Sequence, residues 1–228
     1  MRAAVIRFPG SNCDQDAFHA LQDDVGIEAE FVWHEATSLD RFDAAFLPGG
    51  FSYGDYLRCG AMAARAPVMA AIHEMAKAGM PILGACNGFQ ILCEAGLLPG
   101  ALLQNEKEKF VCKSVTLEAV NRTSVFTCGV NGLLRIPIAH GEGRYVCDDA
   151  TLAELIQNDR IAFRYVGDNP NGSIANIAGV LNAQGNVLGM MPHPERATKA
   201  RLGSVDGLQI LKAFQQQFVP QVQPLATP

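Results

Sequence analysis

The stretch from Pro81 to Leu92, Pro-Ile-Leu-Gly-Ala-Cys-Asn-Gly-Phe-Gln-Ile-Leu, leaves a chain few ways to fold. Its apolar start reads as a buried strand, and that strand runs through Gly84-Ala85-Cys86-Asn87-Gly88 straight into a helical pattern. A strand that turns so abruptly into a helix needs small residues around its tip, and Gly84, Ala85 and Gly88 provide them. The tip is Cys86. Unpaired N–H groups at the start of a helix favour the thiolate of a cysteine held there over its thiol. Without such neighbours a free cysteine reads as core filling, since cysteines rank among the most buried residues. With them, Cys86 reads as a nucleophile.

Around this turn the chain alternates strands and helices. Arg2–Phe8 reads as a strand closed by Pro9-Gly10, followed by a helix capped by Ser11 or Asn12, with Ala17, Phe18, Leu21 and Val25 on its apolar face and Gly26 at its end. Glu28–Trp33 and Ala44–Leu47 read as further strands, and Pro67 opens a helix that runs to Gly79. Beyond the turn the texture changes. Strand-like runs at 111–120, 133–138, 144–146 and 161–166 enclose one acidic helix at 148–156, and the runs 174–181 and 187–191 flank a hairpin turn at 182–186. A last helix carries Ser204 as cap, Asp206 in its first turn, and Leu208, Leu211, Phe214 and Phe218 on one face. The predicted fold is α/β: an open, mostly parallel, doubly wound sheet with helices on both faces and an antiparallel extension. Residues 1–219 read as one domain, and the Gln/Pro-rich 220–228 as a mobile tail.

Composition excludes several function classes. Apolar residues make up 49% of the 228 and charged residues 18%, which supplies a sizeable core and argues against disorder. Net charge is −5 with no Lys/Arg cluster, so a nucleic-acid or anionic membrane surface has no electrostatic footprint. The first strand pattern is cut by Pro9-Gly10 too early for a secretion signal, and no apolar run is long enough to span a membrane. Seven cysteines, scattered without a Cys-x-x-Cys pair or a histidine at zinc-ligand spacing, point to a reducing, cytoplasmic setting with no metal centre.

A thiolate nucleophile needs an acid/base partner and a group that orients it. His193 stands between two prolines in Met191-Pro192-His193-Pro194-Glu195-Arg196, after an apolar run; in extended geometry Glu195, two residues on, projects to the same side and can hold the imidazole. An oxyanion would find one donor in the N–H of Asn87 and a second in the glycine turn Pro48-Gly49-Gly50-Phe51, at Gly50. Gln90, one helical turn past Cys86, can face the same pocket.

Pro48-Gly49-Gly50, Gly84-x-Cys86-x-Gly88-x-Gln90 and His193-Pro194-Glu195, in this order, resemble the class I (triad) glutamine amidotransferases, whose fold is flavodoxin-like. Gly10-Ser11-Asn12-Cys13-Asp14, Phe51 to Arg58, His140-Gly141-Glu142-Gly143-Arg144-Tyr145 and Met191 to Arg196 are similar to the glutaminase subunits of phosphoribosylformylglycinamidine synthases, with Cys59 where a small residue is expected. The resemblance implies Cys86 as nucleophile, His193 as acid/base, Glu195 as its orienting partner, Gly50 and Asn87 as oxyanion donors, and His140 near the glutamine or a subunit contact. It further implies a separate glutaminase chain without a cofactor of its own, working with a large synthetase subunit and a small accessory subunit, with ATP and Mg used by the synthetase. In keeping with that, no Gly-x-x-x-x-Gly-Lys-[Ser/Thr] phosphate loop occurs. Three readings compete with it: an amidotransferase feeding another synthetase, a cysteine hydrolase or chaperone on a related fold, and a glutaminase-like assembly subunit without activity. Only the first and third keep the His193 and Glu195 array, and an intact triad weighs against the third.

Overall fold

The computed structural model describes residues 1–216; the expectations for Phe218, for the domain end at 219 and for the tail at 220–228 lie outside the described residues. In chain order the elements are β1 (Arg2–Arg7), α1 (Asp14–His19), β2 (Glu28–Trp33), β3 (Ala44–Leu47), α2 (Val68–Lys77), β4 (Ile82–Ala85), α3 (Asn87–Glu94), β5 (Ala101–Leu103), β6 (Val111–Ala119), β7 (Leu133–His140), β8 (Arg144–Val146), α4 (Asp149–Gln157), β9 (Ile161–Tyr165), β10 (Ile177–Leu181), β11 (Val187–Met190) and α5 (Gly207–Gln216). A nine-stranded sheet runs β2-β1-β3-β4-β11-β10-β9-β6-β7. The first five strands pair in parallel and the rest antiparallel, as expected. β8, expected among the strands, joins β5 in a separate two-stranded sheet, and three-residue β5 carries too little pattern to be read from sequence.

Alternate residues of the parallel strands point to opposite faces, and both faces are buried. Ala3, Val5 and Leu83 pack with Ala17 of α1, Leu21 just beyond it, and Ile210, Leu211 and Phe214 of α5. Ala4, Ile6 and Ile82 pack with Met69, Ile72 and Met75 of α2 and Phe89 and Leu92 of α3. Of the antiparallel strands, β9 and β10 are still buried on both faces, and the outer β6 and β7 are covered on one side only: along β6, Val115, Leu117 and Ala119 are buried while Cys112, Ser114 and Glu118 are exposed.

Two helix starts depart from the sequence expectation. Cys13 sits at the start of α1 and no side chain caps it; Ser11 Oγ instead accepts the N–H of Phe8 at 3.0 Å and holds the preceding turn. α1 widens after His19 into a π-helical turn, Ala20–Val25, which ends at Gly26 with φ 82°. At α5, Ser204 Oγ accepts the N–H of Asp206 at 3.0 Å, one turn early, and the Asp206 carboxylate accepts the N–H of Arg135 at 2.7 Å, pinning the helix to β7.

Phe214 links α5 to the antiparallel half: it is fully buried and stacks on Phe126 at 5.9 Å. Phe214→Ala removes that packing and leaves a cavity, which costs about 3–5 kcal/mol. Urea unfolding should show a lower midpoint with an unchanged slope.

Candidate active site

The turn between β4 and α3 is as sharp as its sequence demands. Cys86 has φ 50° and ψ −106°, a conformation that side-chain-bearing residues rarely adopt, and it is the residue that immediately precedes α3. The crowding explains the flanking glycines. A Cβ on Gly88 would come within 2.0 Å of Leu47 O, and one on Gly84 within 2.7 Å of the Gly88 backbone. Cys86 N–H donates to Met190 O at 2.8 Å, so the tip is tied to the end of β11. Phe89 and Gln90 donate back to Cys86 O, whereas the N–H of Asn87 finds no acceptor among the described residues.

His193 leaves the end of β11 on the same side of the sheet. Its N–H donates to Pro137 O at 2.9 Å, and its Nδ1 meets Glu195 Oε1 at 2.6 Å, both side chains being almost wholly buried. The expected pairing holds, but its geometry is different: Pro194–Arg196 form a 3-10 turn, and that turn, not an extended strand, brings Glu195 back onto the ring. His193 Nε2 has no hydrogen-bond partner among the described residues and stays available. Burial opposes a charged imidazole here and is the largest single influence, yet Glu195, followed by Cys86 and Cys13, outweighs it and holds the His193 pKa well above the ordinary 6.5.

Cys86, His193 and Gly50 line one cleft of about 200 Å³, together with Asn12, Cys13 and Arg196 and with Phe110 on its rim. Gly50 adopts φ 150°, and a Cβ there would lie 2.8 Å from both Asn12 N and Gly10 O; its N–H is not taken by any acceptor among the described residues. Cys86 Sγ lies 3.7 Å from Ala139 O, in hydrogen-bonding contact with the end of β7. Thus the far edge of the sheet curls back to roof the cleft. A larger groove of about 580 Å³, between residues 37–40 and α2, shares no lining residue with it.

Four predicted site residues, Glu195, Asn87, Gln90 and His140, lie outside that lining. Gln90 is buried, donating from Nε2 to Glu142 O at 2.6 Å and accepting from Asn87 Nδ2 at 2.9 Å; Asn87 Oδ1 in turn accepts the N–H of Ser52 at 3.3 Å. The side chain expected to face the pocket instead fastens α3 to two loops. His140 is likewise buried, its Nδ1 against Asn105 Oδ1 at 3.1 Å, and burial, then the charge of His193, lowers its pKa to about 4. Cys13, which the sequence presents only within a motif, lies against the His193 ring. Its contact with residue 193 is a matter of tertiary structure, and no local signal announces it. At Cys59, burial, with Glu142 and Asp55, pushes the thiol's pKa up and keeps it un-ionised.

A histidine whose folded pKa is raised stabilises the fold fully below about pH 6.5, and that contribution is lost as the pH rises through the raised value. NMR titration of the imidazoles should find His193 moving well above 6.5 and His140 near 4. Glu195→Gln should bring His193 down by at least about one unit and leave His140 lower still than an ordinary histidine.

The match to known proteins covers nearly the whole chain. Residues 1–217 match the model of the CobB/CobQ-like glutamine amidotransferase domain. The structure of PurLQS from Thermotoga maritima contains a chain 48% identical, with a TM-score of 0.87, covering 95% of this chain and 98% of that one. A glutamine amidotransferase from Thermotoga maritima, 15% identical with a TM-score of 0.58 over 95% of this chain and 97% of that one, shares the fold. An elbow cysteine, a glutamate-backed histidine and this likeness together show that the chain belongs to the CobB/CobQ-like glutamine amidotransferase family, with its kinship among the glutaminase subunits of phosphoribosylformylglycinamidine synthase.

Proposed function

We propose that this chain hydrolyses L-glutamine to glutamate and ammonia through a Cys86 thioester and delivers the ammonia to a synthetase subunit. The observation that carries the reading is one cleft lined by a strained elbow thiol, a glutamate-backed imidazole and Gly50, with the Asn87 N–H next to the thiol at the start of α3 and neither the Gly50 nor the Asn87 N–H taken by an acceptor among the described residues. Cys86 as thiolate attacks the side-chain amide carbon, and the oxyanion that forms accepts hydrogen bonds from the Gly50 and Asn87 N–H groups. His193, held protonated by its neighbours, gives its Nε2 proton to the departing nitrogen, which leaves as ammonia. The neutral imidazole then takes a proton from water, the resulting hydroxide attacks the thioester, and glutamate leaves as thiolate and imidazolium are restored. Glu195 keeps Nδ1 protonated throughout.

The acceptor reaction is conversion of formylglycinamide ribonucleotide to formylglycinamidine ribonucleotide in de novo purine synthesis, with ATP and Mg²⁺ on a large synthetase subunit and a small accessory subunit completing the complex. The kinship with PurLQS and the secondary motifs of the sequence support this, and the lack of a phosphate loop fits a chain that carries no cofactor. Seven free thiols, and the lack among the described residues of a helix long and apolar enough to cross a membrane, fit a cytoplasmic enzyme. Gln90 and His140 then act from behind the cleft, as positioning residues.

In the reconstituted complex, Cys86→Ala should reduce glutamine-dependent amidation by at least about 1,000-fold while added ammonia still supports the reaction. Glutamine use that survives the substitution would refute the assignment. The isolated chain, in which Cys86 Sγ contacts Ala139 O, should hydrolyse glutamine slowly and speed up on addition of its partners.

A further inference from the structure

The thiol of Cys13 shares a pocket with the relay behind Cys86. Cys13 Sγ, a His193 ring nitrogen and a Glu195 carboxylate oxygen lie within 4.8 Å of one another, and all three residues are buried. Among the described residues Glu195 Oε2 has no hydrogen-bond partner, so the carboxylate that meets His193 Nδ1 keeps an unused ligand atom in an enclosed position. Among the described residues, Cys13 Sγ donates to Asn12 Oδ1 alone, at 3.2 Å.

Gly49 supplies a second, independent observation. Its φ is not positive, so conformational freedom does not explain it. A Cβ at this position would stand 3.0 Å from Cys13 Sγ and 2.6 Å from His193 Cε1, and would fill the gap between thiol and imidazole. The glycine keeps that gap open.

We propose that Cys13, His193 and Glu195 form an inhibitory site for a thiophilic divalent cation of the zinc class. Thiolate, imidazole and carboxylate are the ligand types that Zn²⁺ takes, and its bond lengths put tetrahedral ligands about 3.4–3.6 Å apart, within small side-chain movements of the observed cluster. On binding, the Cys13 thiol and the His193–Glu195 pair each release a proton to solvent, and a thiolate and a carboxylate balance the two positive charges. The imidazole so held no longer transfers protons. The three ligands come from residue 13 and from the 193–195 turn, which is why no ligand spacing appears in the sequence. The site stands on geometry alone; only its inhibitory effect rests on the acid/base reading of His193.

The test is a Cd²⁺ titration of the full chain, read by thiolate-to-Cd²⁺ charge-transfer absorbance, with the exposed Cys112 and Cys128 replaced by serine. Cys13→Ser, which keeps the size of the side chain but removes the soft ligand, should weaken the tight site by at least about 10-fold, since even outer-shell changes cost that much. Glu195→Gln should weaken it as well, whereas Cys86→Ala should leave it within a few-fold. Unchanged binding in Cys13→Ser, or tight binding that depends on Cys86 and not on Cys13, overturns the site. In the complex, Zn²⁺ should block glutamine-dependent turnover and spare ammonia-dependent turnover, with a chelator restoring the former. Because binding is read without turnover, its failure is distinct from a failure of the glutaminase reading; glutamine turnover that persists with the site filled overturns the inhibitory role.

Discussion

The parallel pairing of β4 with β11 is the contact on which the active site depends. Its register sets Gly84 beside Gly189 and Ala85 beside Met190, so Cys86 and Met191 leave the sheet together at its carboxyl edge. The bond from Cys86 N–H to Met190 O continues that ladder by one step into the elbow. His193, two residues beyond the edge, therefore arrives beside Cys86 by sheet geometry, and the 3-10 turn that follows folds Glu195 behind it. Open α/β sheets place ligands at this edge because the helices that follow the strands turn their amino ends toward it.

What encloses the cleft is largely main chain. The antiparallel half curls until β7, the last strand in the sheet order, reaches the elbow, where Pro137 O receives the His193 N–H and Ala139 O meets the Cys86 thiol. Asn87 and Gln90 brace the same junction from below, joining Ser52, α3 and Glu142 through successive hydrogen bonds. Buried amides connected in this way strengthen one another, and each is costly to leave unpaired. The network fixes the start of α3, and with it the direction of the Asn87 N–H.

Much of this was legible in the residues. Cys86 between small neighbours announced a strained turn because few other sequences fit one, and Pro192 and Pro194 announced a fixed His193. The parallel half was legible because strands buried on both faces read as unbroken apolar runs. Strand order across the join was not, since nothing local says that β11 inserts beside β4 or that β7 curls over both. The same gap hid Cys13, whose partner lies at the other end of the chain, and it turned Gln90 from a pocket residue into a brace. Ser11 and Ser204 misled for another reason: a serine near a helix start serves a turn as readily as a cap, and only the backbone decides which.

The register of β4 against β11 also has a consequence for synthesis on the ribosome. The elbow is made early, but the strand that delivers its histidine is among the last segments to emerge, after the whole antiparallel half. A growing chain therefore carries Cys86 through the synthesis of the 106 residues that separate it from His193, without that imidazole beside it. The cysteine acquires its relay only in a molecule whose final strand has docked, so completion of the fold and arming of the thiol are one event.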